Sequence, residues 1–296
     1  MSLNPRVVLI SRETEYASLL AKHGTRGQAE FFLQSRQQSL AELEMRDALQ
    51  TSALNAAKQA VPAEWSFAHV SRADLNRFLF GPQDIIVPIG QDGLVANLAK
   101  YLDGQPVIGV SPDLTASEGV LTRHNTAQLP QLLKRAAHQD VDIQHRTMVQ
   151  AQVGAGQSLL ALNELFIGHR SHQSARYVVQ FDQQEEFQSS SGMIVATGTG
   201  LTGWAKSIMT STHRAIDIKP ETDRAAFFAR EPWPSKTSGC AISAGEIGVD
   251  HDLRITSRIN EGGVIFADGI EQDFLPFDWG TLADIKVSDK HLSLVV

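Results

Sequence analysis

Asp84-Ile85-Ile86-Val87-Pro88-Ile89-Gly90-Gln91-Asp92-Gly93-Leu94-Val95-Ala96-Asn97 is the stretch on which the fold turns. Residues 84–89 are apolar nearly throughout, as in a strand buried on both faces. They open through Gly90-Gln91-Asp92-Gly93 into a helical run from Leu94 to Leu102. A buried strand that turns through glycines into a helix is, in outline, a phosphate-binding arrangement. Glycine lets the backbone approach an anion, and the first amides of the helix point at it. An acid inside that turn repels phosphate unless it binds a metal or accepts a proton. Asp92 is therefore the most informative acid in the chain. The same residues also suit an ordinary strand-to-helix turn, with Asp92 as N-cap and glycine for a positive φ.

Upstream, Arg6-Val7-Val8-Leu9-Ile10 reads as a short buried strand. Residues 13–60 read as mainly helical, with Leu40, Leu43, Ala48 and Leu49 near helical spacing, and Pro62 ends the run. Trp65 to Val70 alternates like a strand, and Ser71 suits the N-cap of a helix from Arg72 to Phe80. Val107-Ile108-Gly109-Val110 is a further strand. Strands alternating with helices predict βα units and a parallel sheet. From about Gln144 the helical period fades. Short β-rich runs follow at Leu159 to Ile167, Ala175 to Phe181, Gly192 to Thr197, Ile242 to Val249, Leu253 to Thr256, Gly263 to Ala267, Asp284 to Val287 and Leu292 to Val296. The fold expected is an α/β N-terminal domain with a parallel sheet, then a mostly β C-terminal domain. Pro220 to Lys236 reads as a loop.

The chain has 296 residues, with 26 Lys plus Arg against 33 Asp plus Glu, a net charge of −7. That balance argues against a general nucleic-acid binder but leaves small phosphorylated ligands open. One cysteine forms no internal disulfide and no multi-cysteine zinc site. No run approaches the ~20 apolar residues of a membrane helix, and no signal-peptide core is evident. A soluble cytoplasmic protein without membrane contact is expected.

Two further motifs carry chemistry. Asn163-Glu164 lies inside the apolar run Ala161 to Gly168. A buried amide and carboxylate need partners or a ligand. A carboxylate accepts two ribose hydroxyls, and an amide pairs with an adenine edge; a solvated strand end is the alternative. Thr197-Gly198-Thr199-Gly200-Leu201-Thr202-Gly203-Trp204 ends a strand and enters an apparent helix, a second place where amides and hydroxyls converge on an anion. Trp204 suits stacking on a base, or a place in the core. His169 and His172 read as solvated, and Cys240 as a small buried hydrophobe.

In their order, these motifs resemble the NAD kinase family, with its Gly-Gly-Asp-Gly, Asn-Glu and threonine-rich glycine loop. The mitochondrial-type branch is similar in Pro106-Val107-Ile108-Gly109-Val110, Ser117-Glu118-Gly119 and Ser190-Ser191-Gly192. Phe266-Ala267-Asp268-Gly269 resembles the family's Asp-Gly turn. The resemblance implies a domain of residues 1–120 to which 281–296 return, a β-rich domain of residues 121–280, and an active site between them. It implies ATP, Mg2+ and NAD as small-molecule nucleotide ligands, a homodimer, and transfer of the γ-phosphoryl group to the adenosine ribose 2′-hydroxyl. On that model Asp92 orients and deprotonates the hydroxyl. Asn163, Glu164, Ser191, Thr202, Gly203 and Trp204 hold NAD, and Gly90, Gln91, Gly93, Thr197, Gly198, Thr199 and Gly200 neighbour phosphates.

Four positions depart from the family pattern. Gln91 replaces a glycine, Leu94 a threonine and Trp204 a tyrosine, while Ser191 stands where many members carry Asp. Gln and Trp are bulky enough to reshape the acceptor pocket. A kinase of another small alcohol, sugar or lipid, or a non-catalytic nucleotide-binding protein, is the competing expectation.

Overall fold

The computed structural model describes residues 4–115, 119–154, 156–248 and 253–296. Ser117 and Glu118 of the resemblance, and Val249 of an expected strand, lie outside the described residues. The chain divides into two compact units, one comprising Met1–Gln144 with Ser293–Val296 and the other His145–Leu292. The first unit thus runs on to Gln144, and Ser293–Val296 return to it. The reason is visible in the core. A helix at Leu129–Ala137 places Leu129, Leu132 and Leu133 among the buried residues of the first unit.

The first unit runs β1 (Arg6–Ser11), α1 (Glu15–His23), α2 (Arg26–Gln34), α3 (Leu40–Ala60), β2 (Ser66–Ser71), β3 (Ile85–Ile89), α4 (Asp92–Ala99), β4 (Pro106–Val107) and α5 (Leu129–Ala137). β1 lies between β2 and β3, parallel to both, and β4 follows β3. Val7, Leu9, Ile85 and Val87 bury one face of this sheet against Ala53 and Ala57 of α3 and the leucines of α5. The helical segment after β1 is three helices rather than one. Thr14 and Thr25 cap the first two by accepting the amides of Ala17 and Gln28. These helices gather a small core of their own around Ala29, Leu33 and Leu40.

Three expectations shorten here. The helix after Ser71 is a six-residue 3-10 turn, Arg72–Arg77, although Ser71 does cap it. The helix after the glycine turn stops at Ala99. The strand at 107–110 is a two-residue ladder, with Val110 held only by isolated bridges to Ile89 and His124.

The second unit is an antiparallel sandwich. It runs β5 (Ile143–Val153, whose first two residues belong to the first unit), β6 (Gln157–Ala161), β7 (Glu164–His169), β8 (Ala175–Phe181), β9 (Gln184–Ser190), β10 (Met193–Thr197), α6 (Trp204–Thr212), β11 (Ala225–Ala229), β12 (Ala244–Ile247), β13 (Leu253–Ser257), β14 (Gly263–Ala267), β15 (Phe274–Pro276) and β16 (Leu282–Val295). One sheet has the order β12-β11-β10-β7-β14-β15; the other carries β16-β13-β8-β9, with β5 beside β16 and β6 beside β5. The core lies between them, with Leu165, Ile167 and Val195 on one side and Tyr177, Val179 and Ile255 on the other. The last residues of β16 leave this unit and pair in parallel with β4, Ser293 opposite Pro106 and Leu294 opposite Val107.

The run Leu159 to Ile167 is two strands, not one. It breaks at Leu162-Asn163, and its halves enter different sheets. The stretch from Pro220 to Lys236 is not all loop, because Ala225–Ala229 is a fully buried strand beside β10. The two expected strands at 284–287 and 292–296 are one, since β16 runs unbroken from Leu282 to Val295. No helix among the described residues is long and apolar enough to cross a membrane.

Candidate nucleotide site

In the first unit the site begins where β3 ends. Val110 accepts the Gly90 amide at 2.9 Å, and Gln91 caps α4 with extended backbone and no side-chain bond. Asp92 is therefore the first helical residue, not the cap. Its carboxylate turns instead to the segment at 120–122. Oδ1 accepts the amides of Leu121 (3.0 Å) and Thr122 (2.9 Å) and the Thr122 hydroxyl (2.8 Å), while Oδ2 accepts the Val120 amide (2.9 Å). A carboxylate has about four lone-pair sites. Oδ1 is crowded by three donors, and Oδ2, with one, keeps acceptor capacity. Gly109 makes the clamp possible, since a Cβ there would overlap the Leu121 carbonyl.

Beside the glycine turn lies a cleft of about 170 Å³, lined among others by Arg12, Arg46, Gln50, Gly90, Gln91 and Gly93. Gln50 donates to the Ile89 carbonyl at 2.7 Å and so ties α3 to the end of β3. No described residue lies within 4 Å of where a Gly93 Cβ would stand.

In the second unit Asn163 sits at the corner between β6 and β7, and Glu164 begins β7. The corner is gripped from two sides. Asp268 accepts the amides of Leu162, Asn163 and Glu164 at 3.0, 2.7 and 3.3 Å. Thr197 donates its hydroxyl to the Leu162 carbonyl at 2.5 Å and its amide to the Asn163 carbonyl at 3.0 Å. Gly200 passes so close that a Cβ would overlap the Asn163 carbonyl, and its amide donates to the Thr197 hydroxyl at 3.2 Å. Gly198 is equally constrained, lying against the backbone of Ile218 and Lys219.

The backbone of the Asn163–Glu164 corner is thus saturated, while neither side chain bonds a described residue. Burial and the nearby Asp268 charge push the Glu164 carboxyl up to about 7. Thr199 is buried, and its hydroxyl meets no partner among the described residues. An unpaired buried hydroxyl is costly unless a ligand or water meets it.

Trp204 opens α6 and is 37% exposed. Its ring stacks parallel on Phe166 at 6.1 Å, Phe166 stacks on Phe266 at 4.7 Å, and the Arg230 guanidinium lies 5.1 Å from the indole centroid. Gly168 and Gly192 make room for Phe166. Thr202 and Gly203 are exposed beside Trp204, with the Thr202 hydroxyl bonded to the Thr199 carbonyl at 2.8 Å. Ser191 is exposed and lies before the start of β10, the opposite end from Thr197; the strand from Met193 to Thr197 alone spans about 13 Å at ~3.3 Å per residue.

The second unit therefore gathers Asn163, Glu164, Thr197, Gly198, Thr199 and Gly200, with Thr202, Gly203 and Trp204 just beyond, while Ser191 stands apart from the corner. Gly90, Gln91, Asp92 and Gly93 form the group in the first unit. Sequence reasoning missed the roles of Val120–Thr122, Arg12, Arg46 and Asp268. Only Asp268 left a signal, as an Asp-Gly pair after a buried strand. Cys240 is exposed rather than buried. No group of three or more His, Cys, Asp or Glu side chains that could hold a metal ion occurs among the described residues.

A parallel α/β unit with a glycine turn after its central strand, joined to an antiparallel sandwich, is an NAD kinase-like fold. The similarity is to an NAD kinase from Archaeoglobus fulgidus solved in complex with ATP, at a TM-score of 0.61 and 18% identity over 98% of this chain and 93% of that one. Yeast NADH kinase complexed with NADH gives a TM-score of 0.59 and 14% identity over 100% of this chain and 84% of that one. No protein-family model matches the sequence, and no curated protein matches it.

Proposed function

We propose that this protein is an ATP-dependent kinase that phosphorylates the adenosine ribose 2′-hydroxyl of NAD, yielding NADP and ADP. The observation that carries the reading is the Asp92 carboxylate, immobilised by four donors yet with acceptor capacity left on Oδ2. The 2′-oxygen attacks the γ-phosphorus, its proton passes to Asp92 Oδ2, and the bond from the γ-phosphorus to the β-bridging oxygen breaks as ADP leaves. Phosphoryl transfer of this kind depends on positioning and charge stabilisation, which fixed amides supply.

On this reading Glu164 accepts ribose hydroxyls, Asn163 meets the adenine edge, and Trp204 with Thr202 and Gly203 contacts a ring. Ser191 meets the far end of the extended dinucleotide. Gly90, Gln91 and Gly93, with Arg12 and Arg46, and the Thr197–Gly200 loop neighbour phosphates. Mg2+ would come bound to the ATP phosphates and would neutralise their charge. Arg12 and Arg46 give the cleft beside Gly90 two cations suited to phosphate, set beside Tyr16 and the apolar Leu43 and Leu94. A coupled ADP-release assay over NAD, NADH, sugars and lipids tests the proposal. Turnover is expected with NAD or NADH, and turnover with none of these acceptors sinks it.

A further inference from the structure

Asp268 follows β14 in the left-handed region, φ 50°, and Gly269 comes next at 71°. The reversal turns the Asp268 carboxylate onto the amides of residues 162–164. Its own amide donates to the Glu164 carbonyl at 3.0 Å. Four backbone bonds therefore fix the peptide units on which Asn163 and Glu164 stand, while the two side chains stay open to a ligand. Holding the backbone and freeing the side chains is the arrangement that lowers the ordering cost of recognition.

We infer that Asp268 is a positioning residue, holding Asn163 and Glu164 in place for the ribose and base of the acceptor. The identity of the ligand rests on the proposed function; the clamp does not. Asp268 also reaches Glu164 by charge. β10 opposes Glu164 with Ala196, and β14 opposes the adjacent Leu165 with Ala267. Asp268 is thus the charged group acting on Glu164 among the described residues. One side chain therefore both anchors the pair and keeps the Glu164 proton on to higher pH.

Asp268→Asn tests this, because asparagine also tolerates the left-handed turn. NAD binding is measured by calorimetry from pH 5.5 to 8.5 in wild type and variant. The variant is expected to bind at least tenfold more weakly, with the midpoint of its pH dependence moved to lower pH. An unmoved midpoint, whatever the affinity, reduces Asp268 to a turn residue and overturns the inference. If wild type binds no NAD, the functional reading fails on its own. The clamp is then read without ligand, from urea unfolding across the same pH range. There the pH-dependent loss of stability moves to lower pH in the variant, and identical profiles overturn the inference. If the variant does not fold, hydrogen exchange of the wild-type amides of Leu162, Asn163 and Glu164 decides. Protection of all three supports the clamp, and exchange at the rate of free amides overturns it.

Discussion

Thr122 meets Asp92 twice on the same oxygen, with its amide at 2.9 Å and its hydroxyl at 2.8 Å. In Asp92→Asn one acceptor becomes a donor facing an amide, so at least one of the four bonds is lost. An unsatisfied donor of this kind costs about 1–3 kcal/mol. The melting temperature is expected to fall by several degrees, at roughly 2–4 °C per kcal/mol. ADP release with NAD is expected to fall about 100-fold or more, as for the loss of a general base. A lower melting point with normal turnover would confine Asp92 to structure.

Gly93 and Gly200 should respond oppositely to alanine. Gly93 has open space, so Gly93→Ala is expected to fold as well as wild type or slightly better, by up to about 1 kcal/mol of helix propensity. Its KM for ATP is expected to rise several-fold if phosphate lies against the turn. Gly200→Ala drives a methyl into the Asn163 carbonyl, and a loss of about 1–3 kcal/mol is expected, as for other overpacked sites. Melting curves and ATP titrations of the two variants separate the cases, and an unchanged KM in Gly93→Ala removes phosphate from that turn.

Glu164 gives stability a pH dependence. Its carboxyl rises from 4.5 to about 7 on folding, so between those values the native protein holds a proton that the unfolded chain has released. Stability from this group is full below about pH 4.5 and falls as pH rises through about 7. Because the side chain is partly exposed, the effect is of the order of 1–3 kcal/mol. Glu164→Gln is expected to flatten that slope and to be the more stable protein at pH 8. Urea melts at pH 5 and 8 check it, and parallel slopes in the two proteins refute it.

Trp204 is exposed enough to be removed cheaply. Trp204→Ala is expected to leave the melting temperature within a few degrees of wild type while weakening dinucleotide binding. Stacking on a base is worth about 1–3 kcal/mol, or roughly 5–150-fold in Kd. Fluorescence titration of wild type and calorimetry of the variant measure this, and equal affinities would leave Trp204 outside the site.

The parallel unit was legible because β1 and β3 carry unbroken apolar runs with helical segments between them. Ile85–Ile89 and Arg6–Ser11 stand where the apolar pattern puts them. The corner at Asn163 was not legible. Leu162 and Leu165 are both buried, so hydrophobicity runs straight through a change of sheet. The partner that satisfies the polar break, Asp268, lies more than 100 residues away. Ala225–Ala229 was hidden by the prolines and charges around it, and small alanines weakened its β signal. Asp92 was found as a chemical group, but its grip on Val120–Thr122 was not, because amides leave no trace in side-chain patterns.

The final residues of β16 have a consequence for how the chain is made. His124 meets the Val295 carbonyl at 3.1 Å across 171 positions, and Leu294 lies beside Val107 in the first unit's sheet. A ribosome would deliver β1 to β4 long before the strand that completes their sheet. The antiparallel sandwich is then free to assemble while the unit carrying Asp92 still waits with an open edge at β4. The first unit's sheet would close last, and a chain cut after Leu292 would keep most of its sandwich and lose that edge partner.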